Sequence, residues 1–100
     1  ANDIGPSVRQ AAAYGLGRLQ GNDESLLRQC LNSLELACSD SEWSVRYAGV
    51  AALEQRLQQS LPTELDNRAR ALLQQRSQQD LDDTLVVRLR ALLALERLAA

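Results

Sequence analysis

The chain has 100 residues, 45% apolar, with one tryptophan, two tyrosines and no phenylalanine. Its formal charge of −2 argues against a dedicated polyanion partner. With no histidine, Ser-His-Asp and Cys-His catalysis are excluded within this chain, and a metal site would lack ligands. A core built from Leu, Ala and Val, among Arg, Gln and Glu, suits closely packed helices. The class expected is all-α.

Residues 1–6 read as a turn around Asp3, Gly5 and Pro6, with Pro6 or Ser7 opening a first helix that runs to Leu19 or Gln20. Gly21 closes it, and Asn22 or Asp23 caps a second helix carrying Leu27, Leu31 and Leu34 at helical spacing. On that helix Cys30 and Cys38 stand roughly 12 Å apart at 1.5 Å per residue, too far for a disulfide. They read as small core residues in a reducing, cytoplasmic setting. After a short turn at 39–42, a third helix is expected from Trp43 to Gln59. Ser60-Leu61-Pro62 break the chain, and Pro62 opens a fourth helix to about Gln79, with Leu65, Ala69, Leu72 and Leu73 inward. Its arginines Arg68, Arg70 and Arg76 read as a solvated face. Residues 80–84 turn again, and a fifth helix continues to about Leu98. No apolar run approaches membrane-spanning length, and no signal peptide is expected.

An internal repeat runs through these elements. Asp3, Asp40 and Asp82 are each followed six residues later by an arginine (Arg9, Arg46 and Arg88), and each arginine directly follows a valine. Val8, Val45 and Val87 are 37 and 42 residues apart, a period of stacked helical hairpins. Small residues follow each valine: Ala11, Ala12, Gly15; Ala48, Gly49, Ala52; Ala91, Ala94, with Arg90 departing from the pattern in the last copy. Gly15 takes the small packing position of the first copy. Each hairpin pairs an A helix with a following B helix. The order along the chain is then B1, A2, B2, A3, B3, with repeats over about 1–20, 22–59 and 61–100. Each Asp is placed to accept orphan N–H groups at the start of its B helix. Each Arg is placed to reach the Asp of a neighbouring repeat. The six residues are thus expected to form a structural ladder rather than an acid/base site. The absence of Met and the opening turn suggest a piece of a longer solenoid, cut at a repeat boundary.

The turn Asp, the Val-Arg pair and the small-x-x-small-Leu pattern resemble the HEAT repeat. Residues 40–50, Asp-Ser-Glu-Trp-Ser-Val-Arg-Tyr-Ala-Gly-Val, are similar to repeats of the cyanobacterial bilin lyases of the E/F type and their phycobilisome-associated relatives. The resemblance implies a HEAT-like α-solenoid of about two and a half hairpins. It implies a subunit that assists attachment or removal of a phycobilin on a phycobiliprotein cysteine, or a non-catalytic protein-binding scaffold in phycobilisome assembly or degradation. The bilin would be a transient open-chain tetrapyrrole, with no permanently bound cofactor. The implied partners are a phycobiliprotein subunit and a second HEAT-repeat subunit. No catalytic residue transfers by the resemblance.

On a helical wheel with Val45 inward, Trp43, Tyr47, Val50, Ala51 and Glu54 point away from the core. B helices of solenoids line the concave surface, where partners commonly bind. Tyr14, Trp43, Tyr47, Val50 and Glu54 are therefore the candidate binding face for a partner helix or a flat tetrapyrrole. Arg18, Arg56 or Arg97 would meet carboxylates at its margin. The competing reading makes Trp43 a staple of its turn. Leu89, Leu92 and Leu93 are expected to pack against another element.

Overall fold

The computed structural model describes residues 5–21, 23–78, 81–82 and 84–100, which form five α-helices and no strand. These are α1 (Pro6–Gly17), α2 (Glu24–Cys38), α3 (Trp43–Leu57), α4 (Thr63–Arg76) and α5 (Leu85–Ala99). Local chemistry sets their ends. Pro6 occupies the first turn of α1, where a missing N–H costs nothing. That helix ends at Gly17, short of the expected Leu19, because Arg18 N–H turns back to the Gly15 carbonyl (3.1 Å) and tightens the last turn. Gly21, at φ 107°, supplies a left-handed residue that no side chain favours. Asp23 caps α2 by accepting from Ser25 and Leu26 N–H (2.8 and 3.2 Å). Pro62 lies just before α4 instead of inside it. The close of α4 comes at Arg76, where Ser77 Oγ donates to the Gln74 carbonyl (2.7 Å); Gln79 lies outside the described residues.

The helices stack in two layers. α1, α3 and α5 lie side by side, and α2 and α4 pack across them, so each of α2 and α4 pairs with the helix that follows it. α3 sits at the centre and touches all four others. Leucines 31, 34, 53, 65 and 73 fill the space between layers, while Ala48, Ala52, Ala69, Ala91 and Ala94 let backbones approach. The closest approach falls on Gly17, where an added Cβ would meet Ala52 Cα and Gln55 Oε1 at 2.9 Å. Gly15, the expected packing glycine, has nothing within 4 Å of that position. Gly49 makes a similar contact with the end of α2, 3.1 Å from Cys38 Sγ.

The repeat register explains where the wheel reading fails. Counting from each valine, the fifth residue is Ala13, Val50 or Leu92, and the ninth is Gly17, Glu54 or Glu96. Ala13 and Gly17 are buried, as are Val50 (0% exposed) and Glu54 (2%), whereas Leu92 is 48% exposed and Glu96 is also open. This flank of each B helix packs on the next B helix, so Val50 and Glu54 are not surface residues. α5, with no following helix among the described residues, keeps the flank bare. The opposite edge mirrors this: Val8 (58% exposed), Ala11 and Ala12, expected inward, are open because α2 packs mainly on α3 and no other second-layer helix among the described residues covers α1.

The α2–α4 layer is cross-tied as well. Arg28 bridges Glu24 and Glu64, and Arg68 reaches Asn32 and Glu35 (2.7 and 2.6 Å). Of the three arginines expected on a solvated face, Arg68 thus joins α2, Arg76 lies largely buried against Asp82 (3.4 Å), and Arg70, the most exposed, pairs with Asp66 of its own helix (2.7 Å).

Candidate functional site

The arginines and aspartates of the repeat meet across successive turns. Arg9 at the start of α1 grips the Asp40 carboxylate through Nε (2.8 Å) and Nη2 (2.9 Å). Arg46 grips Asp82 through Nε (2.8 Å) and Nη2 (3.2 Å), and its Nη2 also donates to Thr84 Oγ1 (2.8 Å). The two-toothed geometry matches guanidinium to carboxylate and fixes orientation as well as charge. Each Asp also holds its own turn: Asp40 accepts Glu42 N–H (3.0 Å) and Asp82 accepts Thr84 N–H (3.1 Å). The guanidinium of Arg9, through its hydrogen bonds, holds Asp40 below the usual carboxylate range. Arg88 donates Nη1 to the Asp82 carbonyl (2.9 Å), as Arg46 does to the Asp40 carbonyl (2.9 Å). Asp3 lies outside the described residues.

The exposed face of the α1–α3–α5 layer is formed by the second and sixth residues after each valine. These are Gln10 and Tyr14 on α1, Tyr47 and Ala51 on α3, and Leu89 and Leu93 on α5. Trp43, 50% exposed, stands one turn before Tyr47, and their rings meet edge to face with centroids 6.5 Å apart. Tyr14 and Tyr47 are half-buried against the core. Between α3 and α5 the face dips into an open groove of about 200 Å³, lined by Tyr47, Val86, Leu89, Arg90 and Leu93. Of the five residues expected to share the binding face, Tyr14, Trp43 and Tyr47 are accessible and Val50 and Glu54 are not. Arg56, buried beneath this layer, donates to the Leu19 carbonyl and is unavailable to a ligand.

Arg90 was the missed residue of the groove, and its signal was the departure from Ala11 and Ala48 at that register. Its Nη1 lies 2.7 Å from Glu54 Oε1, a charge contact without hydrogen-bond alignment, and Arg97 approaches the same oxygen at 3.5 Å. Glu54 Oε2 is buried with no hydrogen-bond partner among the described residues. The groove therefore offers apolar walls and a guanidinium whose charge is already matched from below. A larger groove, about 350 Å³, lies apart from the aromatics at the bare edge of α1, lined by Ala12, Leu16, Leu36 and Ala37 among others. Among the described residues no cluster of His, Cys, Asp or Glu could hold a metal, and no helix is long and apolar enough to cross a membrane. Cys30 and Cys38 are buried free thiols; Cys30 donates to the Leu16 carbonyl (3.5 Å), and burial pushes the Cys38 thiol up to about 12.

The fold and face define an all-α protein of stacked helical hairpins with one aromatic outer surface. Its sequence relatives narrow that class. The chain is 44% identical over 75 residues to the bilin biosynthesis protein RpcF of Synechococcus sp. (strain WH8020), covering 72% of this chain and 36% of that protein. It is 37% identical over 76 residues to the phycocyanobilin lyase subunit beta of Nostoc sp. (strain PCC 7120), covering 65% of this chain and 38% of the relative. A phycobilisome maturation protein of Synechococcus elongatus is 39% identical over 82 residues, with 69% of this chain and 40% of that protein covered. The chain is thus homologous to part of a bilin biosynthesis protein, a phycocyanobilin lyase subunit and a phycobilisome maturation protein, and it spans less than half the length of these relatives. No family model and no solved structure matches it.

Proposed function

We propose that the chain is a subunit, or part of one, that assists attachment or removal of a phycobilin on a phycobiliprotein cysteine. The 44% identity to a bilin biosynthesis protein carries this reading. The exposed face supports it: Trp43 and Tyr47 present amphipathic rings to a flat tetrapyrrole, and the groove beside them offers Leu89 and Leu93 as apolar walls. Arg90 and the half-exposed Arg97 are the guanidinium groups nearest that face for bilin propionates. On this reading turnover is shared with a partner, for which a phycobiliprotein subunit and a second HEAT-repeat subunit are the candidates. The location that fits this work is the cytoplasm.

Phycocyanobilin added to the chain is expected to change its absorbance and circular dichroism on binding, with no turnover by the chain alone. Trp43→Ala should weaken that spectral change while leaving helicity and melting temperature near the parent values, because the ring is half in solvent. An unchanged bilin spectrum alongside co-purification of a phycobiliprotein would remove the lyase reading. The second reading, a non-catalytic scaffold, would then stand. It is favoured by the relative named only for phycobilisome maturation.

A further inference from the structure

The two seams of the α1–α3–α5 layer share one register but not one chemistry. The ninth residue after the first valine is Gly17, so close to α3 that an added Cβ would meet Ala52 Cα and Gln55 Oε1 at 2.9 Å. The ninth residue after the second valine is Glu54, which faces Arg90 (2.7 Å) and Arg97 (3.5 Å) of α5. Gln55 and Arg97 hold the same register position, and so do Ala48 and Arg90. A glycine and a buried alanine in the first seam are thus replaced by a charged pair in the second. The shorter helix α1 also lies against more of α3 than α5 does. Over the second seam the outer face dips into the groove of Tyr47, Val86, Leu89, Arg90 and Leu93. That face is open in the middle of the array as well. Tyr47 and Ala51 hold the register of Leu89 and Leu93, and they stay partly exposed on α3, which has neighbours on both flanks.

We propose that Glu54 and Arg90 act as a wedge that holds the α3–α5 seam apart, and that the groove so formed takes a flat apolar ligand bearing an acid group. Glu54 is the positioning residue: it is buried and sets Arg90 from beneath. Arg90 lines the groove, and its Nη1 has no aligned acceptor among the described residues. Arg97 draws on the same Glu54 oxygen, so two guanidinium groups share one carboxylate and the cluster holds a surplus positive charge. An acid group arriving between apolar walls meets that surplus where water is sparse and charge-assisted bonds are strong. That a bilin with its propionates is the natural ligand of this class rests on the lyase-subunit reading above.

The probes are anilinonaphthalene sulfonate and N-phenylnaphthylamine, the same rings with and without an acid group, titrated by fluorescence into the folded chain. Saturable binding below about 1 mM is expected for both, with the acid form roughly tenfold tighter, as one charge-assisted bond gives. The double variant Glu54→Gly with Arg90→Ala copies the first seam and should close the groove. Binding of both probes is then lost while helicity stays near the parent value, since a buried ion pair is replaceable by well-packed neutral residues. The exchange Glu54→Arg with Arg90→Glu keeps the wedge but turns an acid toward the groove. It should bind the neutral probe as the parent does and lose the preference for the acid form, whereas a merely structural pair would move only the melting temperature. Should the double variant fail to fold, the exchange variant alone decides. Unchanged binding in the double variant, an acid preference that survives the exchange, or no saturation by about 1 mM overturns the proposal. Phycocyanobilin added to the same chains scores the lyase reading apart. Probe binding as expected with no bilin spectral change removes that reading alone. A bilin spectral change indifferent to both variants removes the groove assignment alone.

Discussion

Arg46 and Asp82 show what a single pair does in this molecule. The Asp82 side chain is fully buried, and it faces Arg46, Arg76 and the Thr84 N–H together. Asp82→Ala would leave two guanidinium groups without their carboxylate, and removal of one partner of such a buried pair costs about 3–5 kcal/mol. Urea unfolding should show this as a lowered midpoint with little change in slope. Asp40 adds a pH dependence. Its pKa in the folded chain is lowered, chiefly by the Arg9 hydrogen bond. A carboxyl group of that kind contributes stability that is complete above its unfolded pKa and is lost as pH falls through the folded one. Melting temperature should therefore drop on acidification below about pH 4, and Arg9→Met should shrink the part of that drop due to Asp40. At the thiols the sign reverses. Burial disfavours the Cys38 thiolate, so thiol-reactive reagents at pH 8 should label it only after denaturant is added.

Helices rather than residues set which glycine matters. Gly17→Ala would push a methyl against the α3 backbone at 2.9 Å, and overpacking of this kind costs about 1–3 kcal/mol. Gly15→Ala meets nothing and should stabilise by about 0.5–1 kcal/mol, because alanine loses less backbone entropy in a helix. Thermal melts of the two single variants, moving in opposite directions, check the pair. The same scale decides how far the sequence could be read. Val45, Ala48, Ala52 and Leu53 were legible as core, since 3.6-residue periodicity marks the side of a helix that faces the other layer. Val50 and Glu54 were not. A wheel drawn for one helix recognises a single interior direction, whereas a helix in a stack also has flanks buried by its neighbours. The shared register of Ala13, Val50 and Leu92 held that information, and it becomes visible only when the copies are aligned with each other. Trp43 opens its helix and stays half in solvent.

At the scale of the molecule, the two layers leave α1 with one open side and α5 with another, while α3 is enclosed by every other helix. Arrays of repeats can lose their ends one unit at a time, since each unit contacts only its neighbours. Here the middle B helix is shared by both interfaces of its layer, so no unit can detach without exposing it. Amide hydrogen exchange gives this arrangement a clock. Protons on α1 and α5 should escape through fraying of their bare sides, at opening energies well below the global value. Those on α3 between Ala48 and Leu53 should wait for the whole chain to come apart, and their exchange then reports the free energy of global unfolding.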